Sequence, residues 1–123
     1  MNSKARLFSI PLPNGLLYVS DAESDDDPDV DGKGLHWRTG SMLAIACQGD
    51  QDGPTKILIG GEDAGEDLTL VTALDLAAPS RRLLFETVPH EAFHEMTLDG
   101  TVAHVELWTK GYQGTPVVWL KVG

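Results

Sequence analysis

His90-Glu91-Ala92-Phe93-His94 can be read as one turn of helix or as the start of a strand, and the two readings lead to different proteins. On a helix, histidines at i and i+4 share a face about 6 Å apart, so both can reach one Zn²⁺ while the intervening glutamate polarises a bound water. On a strand the same two side chains stand roughly 13 Å apart, at about 3.3 Å per residue. No single ion spans that gap.

The flanking residues favour the strand. Pro89 can open a helix at its first position but cannot sit within one, because it lacks an N–H and its ring clashes with the preceding turn. Downstream, Phe93-His94-Glu95-Met96-Thr97-Leu98 runs into Asp99-Gly100 and then Thr101-Val102-Ala103-His104-Val105-Glu106-Leu107-Trp108. Asp-Gly between alternating runs predicts a tight hairpin. In that register Leu98 faces Thr101, Met96 faces Ala103 and His94 faces Val105 on an apolar side. Thr97–Val102, Glu95–His104 and Phe93–Glu106 make the polar side. His94 is then expected at the core margin, and His104 beside Glu95, a carboxylate that would favour its protonated form.

The five residues from His90 to His94 resemble the signature of zinc metalloproteases, which implies a small zinc-dependent hydrolase with His90 and His94 as ligands and Glu91 as the base. The resemblance stops there. Pro89 and Glu95 occupy positions where that family has uncharged, helix-compatible residues. His104 lies ten residues after His94, not six, and no glutamate follows Glu106 as a more distant ligand. We read the match as coincidental, with the hydrolase as the alternative.

The chain of 123 residues, 41% hydrophobic, suits one domain spanning residues 1–123 with a sizeable core. A lone cysteine, Cys47, falls in Met42-Leu43-Ala44-Ile45-Ala46-Cys47 and reads as a small buried hydrophobe outside any disulfide framework. Lys4 and Arg6 precede Leu7-Phe8, but Pro11, Pro13 and Gly15 interrupt the apolar run before it takes signal-peptide form. A cytoplasmic location without membrane association is the expectation.

Nineteen acidic and nine basic residues give a formal charge of −10. Seven of the eleven residues from Asp21 to Asp31 are carboxylates: Asp21, Glu23, Asp25, Asp26, Asp27, Asp29 and Asp31. Such a field repels nucleic acid and anionic membrane, so direct nucleic-acid binding is not expected. It steers a basic partner protein toward the chain.

Strand-like runs are expected near 5–10, 15–20, 41–48, 56–60, 67–76, 82–88, 93–98, 101–109 and 115–122, punctuated by turn residues. Leu68, Leu70, Leu74 and Leu76 share one parity and predict a strand with one core face. Met42 to Cys47 is apolar on both parities and predicts a strand covered on both sides. So many short strands predict an all-β fold, a two-layer antiparallel β-sandwich with little helix. A partly open β-barrel is the alternative.

Asp27-Pro28-Asp29-Val30-Asp31-Gly32 matches the opening of a calcium loop, but an EF-hand would place a glutamate where Arg38 stands. A solvated acidic loop is our reading, with a calcium-binding module through the Asp25 to Asp31 loop as a second alternative. Gly60-Gly61-Glu62-Asp63-Ala64-Gly65 lacks the lysine of a phosphate loop. Ser9, Ser20, Ser24, Ser41 and Ser80 lie in no nucleophile elbow. Glu86, Glu91, Glu95 and Glu106 carry no spacing that pairs them as acid and base. Trp108 and Trp119 read as core or interface residues. Trp37, between His36 and Arg38 beside the acidic segment, reads as a core residue or as a candidate anchor for a partner.

The strand succession from Leu16 to Val122, Trp37 followed by Gly40 and a buried strand, and the Asp99-Gly100 turn resemble small bacterial β-sandwich proteins. Those proteins are related to the competence nuclease inhibitor and, more broadly, to acidic immunity proteins that neutralise toxins. The resemblance implies tight binding to a basic enzyme, with carboxylates mimicking phosphates, and it carries no individual inhibitory residue. The sequence therefore predicts a non-enzymatic acidic protein-binding domain, an inhibitor or immunity protein, that meets a basic partner protein through Asp25, Asp26, Asp27, Asp29, Asp31 and Trp37. No catalytic residue, metal ligand or cofactor is assigned.

Overall fold

The computed structural model describes residues 5–87 and 91–123. Ten strands follow in chain order: β1 (Arg6–Ile10), β2 (Leu16–Asp21), β3 (His36–Arg38), β4 (Met42–Ala46), β5 (Thr55–Ile59), β6 (Thr69–Ala77), β7 (Arg82–Thr87), β8 (Glu91–Thr97), β9 (Val102–Thr109) and β10 (Val117–Val122). A 3-10 turn at Asp50–Asp52 is the helical element among the described residues. Every expected run holds a strand, and β3 is additional. Val88, Pro89 and His90 lie outside the described residues.

The strands form two five-stranded sheets ordered β1-β5-β10-β9-β6 and β3-β4-β2-β7-β8. They face each other as a sandwich, and neither closes into a barrel. Alternation along each strand builds the core between them. The second sheet contributes Leu17, Val19, Leu43, Ile45, Leu83 and Phe85, and the first contributes Ile57, Leu76, Val105, Leu107, Val118 and Leu120, all in one cluster and 1% exposed or less. Each such side chain stabilises the fold by about 1.5–3 kcal/mol relative to exposure. All five residues of β4 are buried, as its two-sided apolar pattern requires.

Three expectations are corrected. The first is the hairpin at Asp99-Gly100. β8 pairs with β7 in the second sheet, whereas β9 lies between β10 and β6 in the first. The connection therefore crosses from one sheet to the other. It is stitched to the β6–β7 turn rather than to itself: Leu98 N donates to Arg81 O (2.8 Å) and Ala78 N to Thr101 O (2.8 Å). Arg81 takes φ 61, uncommon for a residue with a Cβ, in the turn closed by its own N–H on Ala78 O at 2.9 Å. Glu95 accordingly pairs with Arg82 (3.0 Å), and His104 Nδ1 lies 2.5 Å from Asp75 Oδ1.

The second correction is direction. β10 runs parallel to β5, from Val117↔Lys56 to Leu120↔Ile59, while the other ladders are antiparallel. The third is the face of β6. Its register against β9 shifts between Leu70 and Thr72, a bulge that inserts Val71 and reverses the alternation. Val71, Leu74 and Leu76 join the core, while Leu70 is 45% exposed on the outer face. Leu68 packs in a smaller outer cluster with Leu58, Val117, Trp119 and Trp108. There Trp119 is buried and its indole N–H donates to Gly60 O (2.8 Å), so the Gly60–Gly65 connection serves as a cover.

Candidate functional site

The acidic segment leaves β2 at Asp21 and rejoins the second sheet at β3, so its ends are fixed by strands two places apart in that sheet. Asp21 is buried and accepts three hydrogen bonds: from Ser80 N (3.1 Å) and Ser80 Oγ (2.6 Å) on one oxygen, and from Glu23 N (3.1 Å) on the other. It is an anchor to the β6–β7 turn. Ser24 Oγ and Ser41 Oγ lie 2.6 Å apart. Asp26 Oδ2 accepts from both Thr39 Oγ1 and Ser41 Oγ at 2.7 Å. Those bonds, Ser41 first and then Thr39, hold its carboxyl below the usual aspartate range.

Further along, Asp31 Oδ1 accepts from Lys33 N (2.9 Å) and from the Trp37 indole (2.8 Å), and the same bonds, backbone first, depress its protonation. Gln113, in the β9–β10 connection of the first sheet, donates to Gly32 O (2.7 Å) and Gly34 O (3.3 Å). The segment is thus tied to three distant parts of the chain. Pro28 is buried, while Asp25, Asp27 and Asp29 alternate around it with exposed side chains.

Asp21, Ala22 and Ser24 to Asp27 form the wall of a groove of about 460 Å³ whose other lining residues are Met42, Leu84 and Glu86 of the second sheet. Glu86 is buried and accepts from Ser20 Oγ (3.4 Å). Next to it in register, Tyr18 is held above the ordinary tyrosine range, first by burial and then by the charge of Asp27. The groove sets Met42 and Leu84 beside the buried Glu86 under a carboxylate rim. It suits the side chain of a lysine or arginine, whose stem is apolar and whose head is cationic.

Of the six residues singled out in the sequence, Asp25, Asp26 and Asp27 line the groove and Asp31 is bonded to Trp37, and the six do different work. Asp26 and Asp31 shape the segment, Trp37 is half-buried and turned to Asp31, and Asp25, Asp27 and Asp29 face solvent. Sequence reasoning missed the positioning residues Thr39, Ser41, Ser80 and Gln113. The hydroxyls on either side of Gly40 were the available signal.

The metal readings lack their geometry. β8 is extended from Glu91 to Thr97, so the helical turn that the zinc signature needs is absent at Glu91–His94, and His90 lies outside the described residues. His94 instead packs beside Phe8 and Phe85. Among the described residues no three His, Cys, Asp or Glu side chains converge as a metal would require, and the Asp31 oxygen of the calcium-like string is occupied by Trp37 and Lys33. No helix among the described residues is long and apolar enough to cross a membrane. Four of the serines noted in the sequence are engaged in structural bonds across the fold, Ser20 with Glu86, Ser24 with Ser41 and Ser80 with Asp21.

No family model and no curated protein sequence matches this chain. Among solved structures it has the fold of ComJ from Bacillus subtilis, an inhibitor of the DNA-degrading activity of NucA, with a TM-score of 0.64 and 9% sequence identity over 99% of this chain and 97% of that one.

Proposed function

We propose that this chain is a non-enzymatic inhibitor or immunity protein that binds a basic enzyme, a nuclease being the class suggested by the fold it shares with ComJ. The observation that carries the proposal is the tethered acidic segment: a dense row of carboxylates is held in one shape before any partner arrives, which lowers the ordering cost of binding. Asp25, Asp27 and Asp29 meet the partner's cations in place of phosphates. Asp26 and Asp31 keep the row in register, and Trp37 closes its edge. The groove above Met42 and Leu84 receives a lysine or arginine of the enzyme. Nucleic acid itself is repelled.

The test uses the chain as bait in its own host, followed by a titration of the captured enzyme at low salt. Asp25→Asn, Asp27→Asn and Asp29→Asn together are expected to weaken binding about tenfold or more and to flatten its salt dependence. Failure to capture an enzyme, or equal affinity of the triple variant, would overturn the proposal.

A further inference from the structure

β1 and β8 are edge strands of different sheets, and side-chain rings close the seam between them. The β7–β8 register shifts between Phe85 and Glu86, where Phe85 lies opposite His94 and Glu86 opposite Ala92. Phe93 is the extra residue, so Phe93 and His94 both turn inward. Phe8 meets Phe93 edge-on with centroids 5.2 Å apart, and His94 lies 5.2 Å from Phe8 and 5.4 Å from Phe85. The Arg6 guanidinium sits 5.3 Å from the Phe8 centroid. One imidazole therefore joins β1 to β7 and β8, and it shares the Phe8 ring with the Arg6 cation.

We propose that this seam is an acid-sensitive latch: protonation of His94 places a second cation beside Arg6 within the ring cluster and releases β8 from β1. Of the charged groups around His94, Arg6 on β1 opposes the proton and β7 presents the neutral Phe85. On β8, Glu95 is paired with Arg82 and Glu91 is exposed. Glu86 of β7 lies with the groove on the other side of the sheet. Burial first, and then Arg6, hold His94 below the ordinary histidine range. The unfolded chain then takes up the proton first, so stability is full above that ordinary range and is lost as pH falls through it toward the folded value. Opening the seam would uncover the half-buried Ile10 and Phe93, which line a groove of about 430 Å³ together with the already exposed Pro11 and Ala92.

Amide hydrogen exchange at about pH 7.5 and about pH 5, referenced to intrinsic rates, tests the latch. Protection in β1 and β8 is expected to fall severalfold more than in β4 and β10 on acidification of the wild-type chain. His94→Phe keeps a ring and His94→Gln keeps a neutral polar side chain, and neither should show this strand-selective loss. An equal selective loss in either folded variant, or a uniform response in the wild type, would overturn the proposal.

Discussion

Replacing Asp21 by asparagine separates the carboxylate that builds the acidic segment from those that it displays. Asparagine keeps the shape but turns one oxygen into an NH₂ group, which cannot accept. In one orientation this group faces the Ser80 N–H and hydroxyl, and in the other it faces Glu23 N. At least one part-buried donor loses its partner, at about 1–3 kcal/mol, and the surviving bonds lose the assistance of a full charge. Together these give about 2–4 kcal/mol. An unfolding entropy of about 2.1 cal/mol/K per residue makes about 0.26 kcal/mol/K for a chain of 123 residues, so Tm should fall by about 8–15 °C. Urea unfolding followed by tryptophan fluorescence, together with calorimetry, measures it. Asp25→Asn and Asp29→Asn, at exposed positions, should leave the midpoint where it is. An Asp21→Asn variant that unfolds at the wild-type midpoint would refute the assignment of Asp21 as an anchor.

Leu70 and Leu76 share sequence parity but lie on opposite sides of the Val71 bulge. Leu70→Ala should change stability by no more than about 0.5 kcal/mol, whereas Leu76→Ala should cost about 2–5 kcal/mol, and similar costs in urea titrations would remove the bulge from the account. Cys47 is 6% exposed and burial pushes its thiol up to about 12, so a thiol reagent at about pH 8 should modify it only as fast as the chain unfolds. Rapid modification of folded protein would contradict the packing of β4 against the other sheet.

The strands were legible because alternation and two-sided apolar runs are written into neighbouring residues. β3 was not, since His36-Trp37-Arg38 is too short to display a period and is a strand only because β4 lies beside it. Asp99-Gly100 shows the reverse. The chain does bend there, but without the hairpin that the dipeptide suggested: residues 78–81 take the backbone bonds a hairpin would have used, and the two arms enter different sheets. Similarly, the density of carboxylates from Asp21 to Asp31 named the candidate site. Their division into anchors and displayed charges depends on Thr39, Ser41, Ser80 and Gln113, which reach the segment from 13 to 81 positions away and leave no mark in the local pattern.

The parallel ladder between β5 and β10 bears on how the chain comes to be folded during synthesis. β10 is the middle strand of its sheet yet follows every other strand in sequence, so β5 and β9 flank an empty place until Val117–Val122 has emerged from the ribosome. Until that moment the nascent chain presents two unsatisfied strand borders, with Leu58 and Trp108 still lacking their β10 neighbours, a state open to chaperones and to stray pairing. The latest-made strand of this sheet acts as its keystone, and premature termination upstream of it would leave the sheet in two halves.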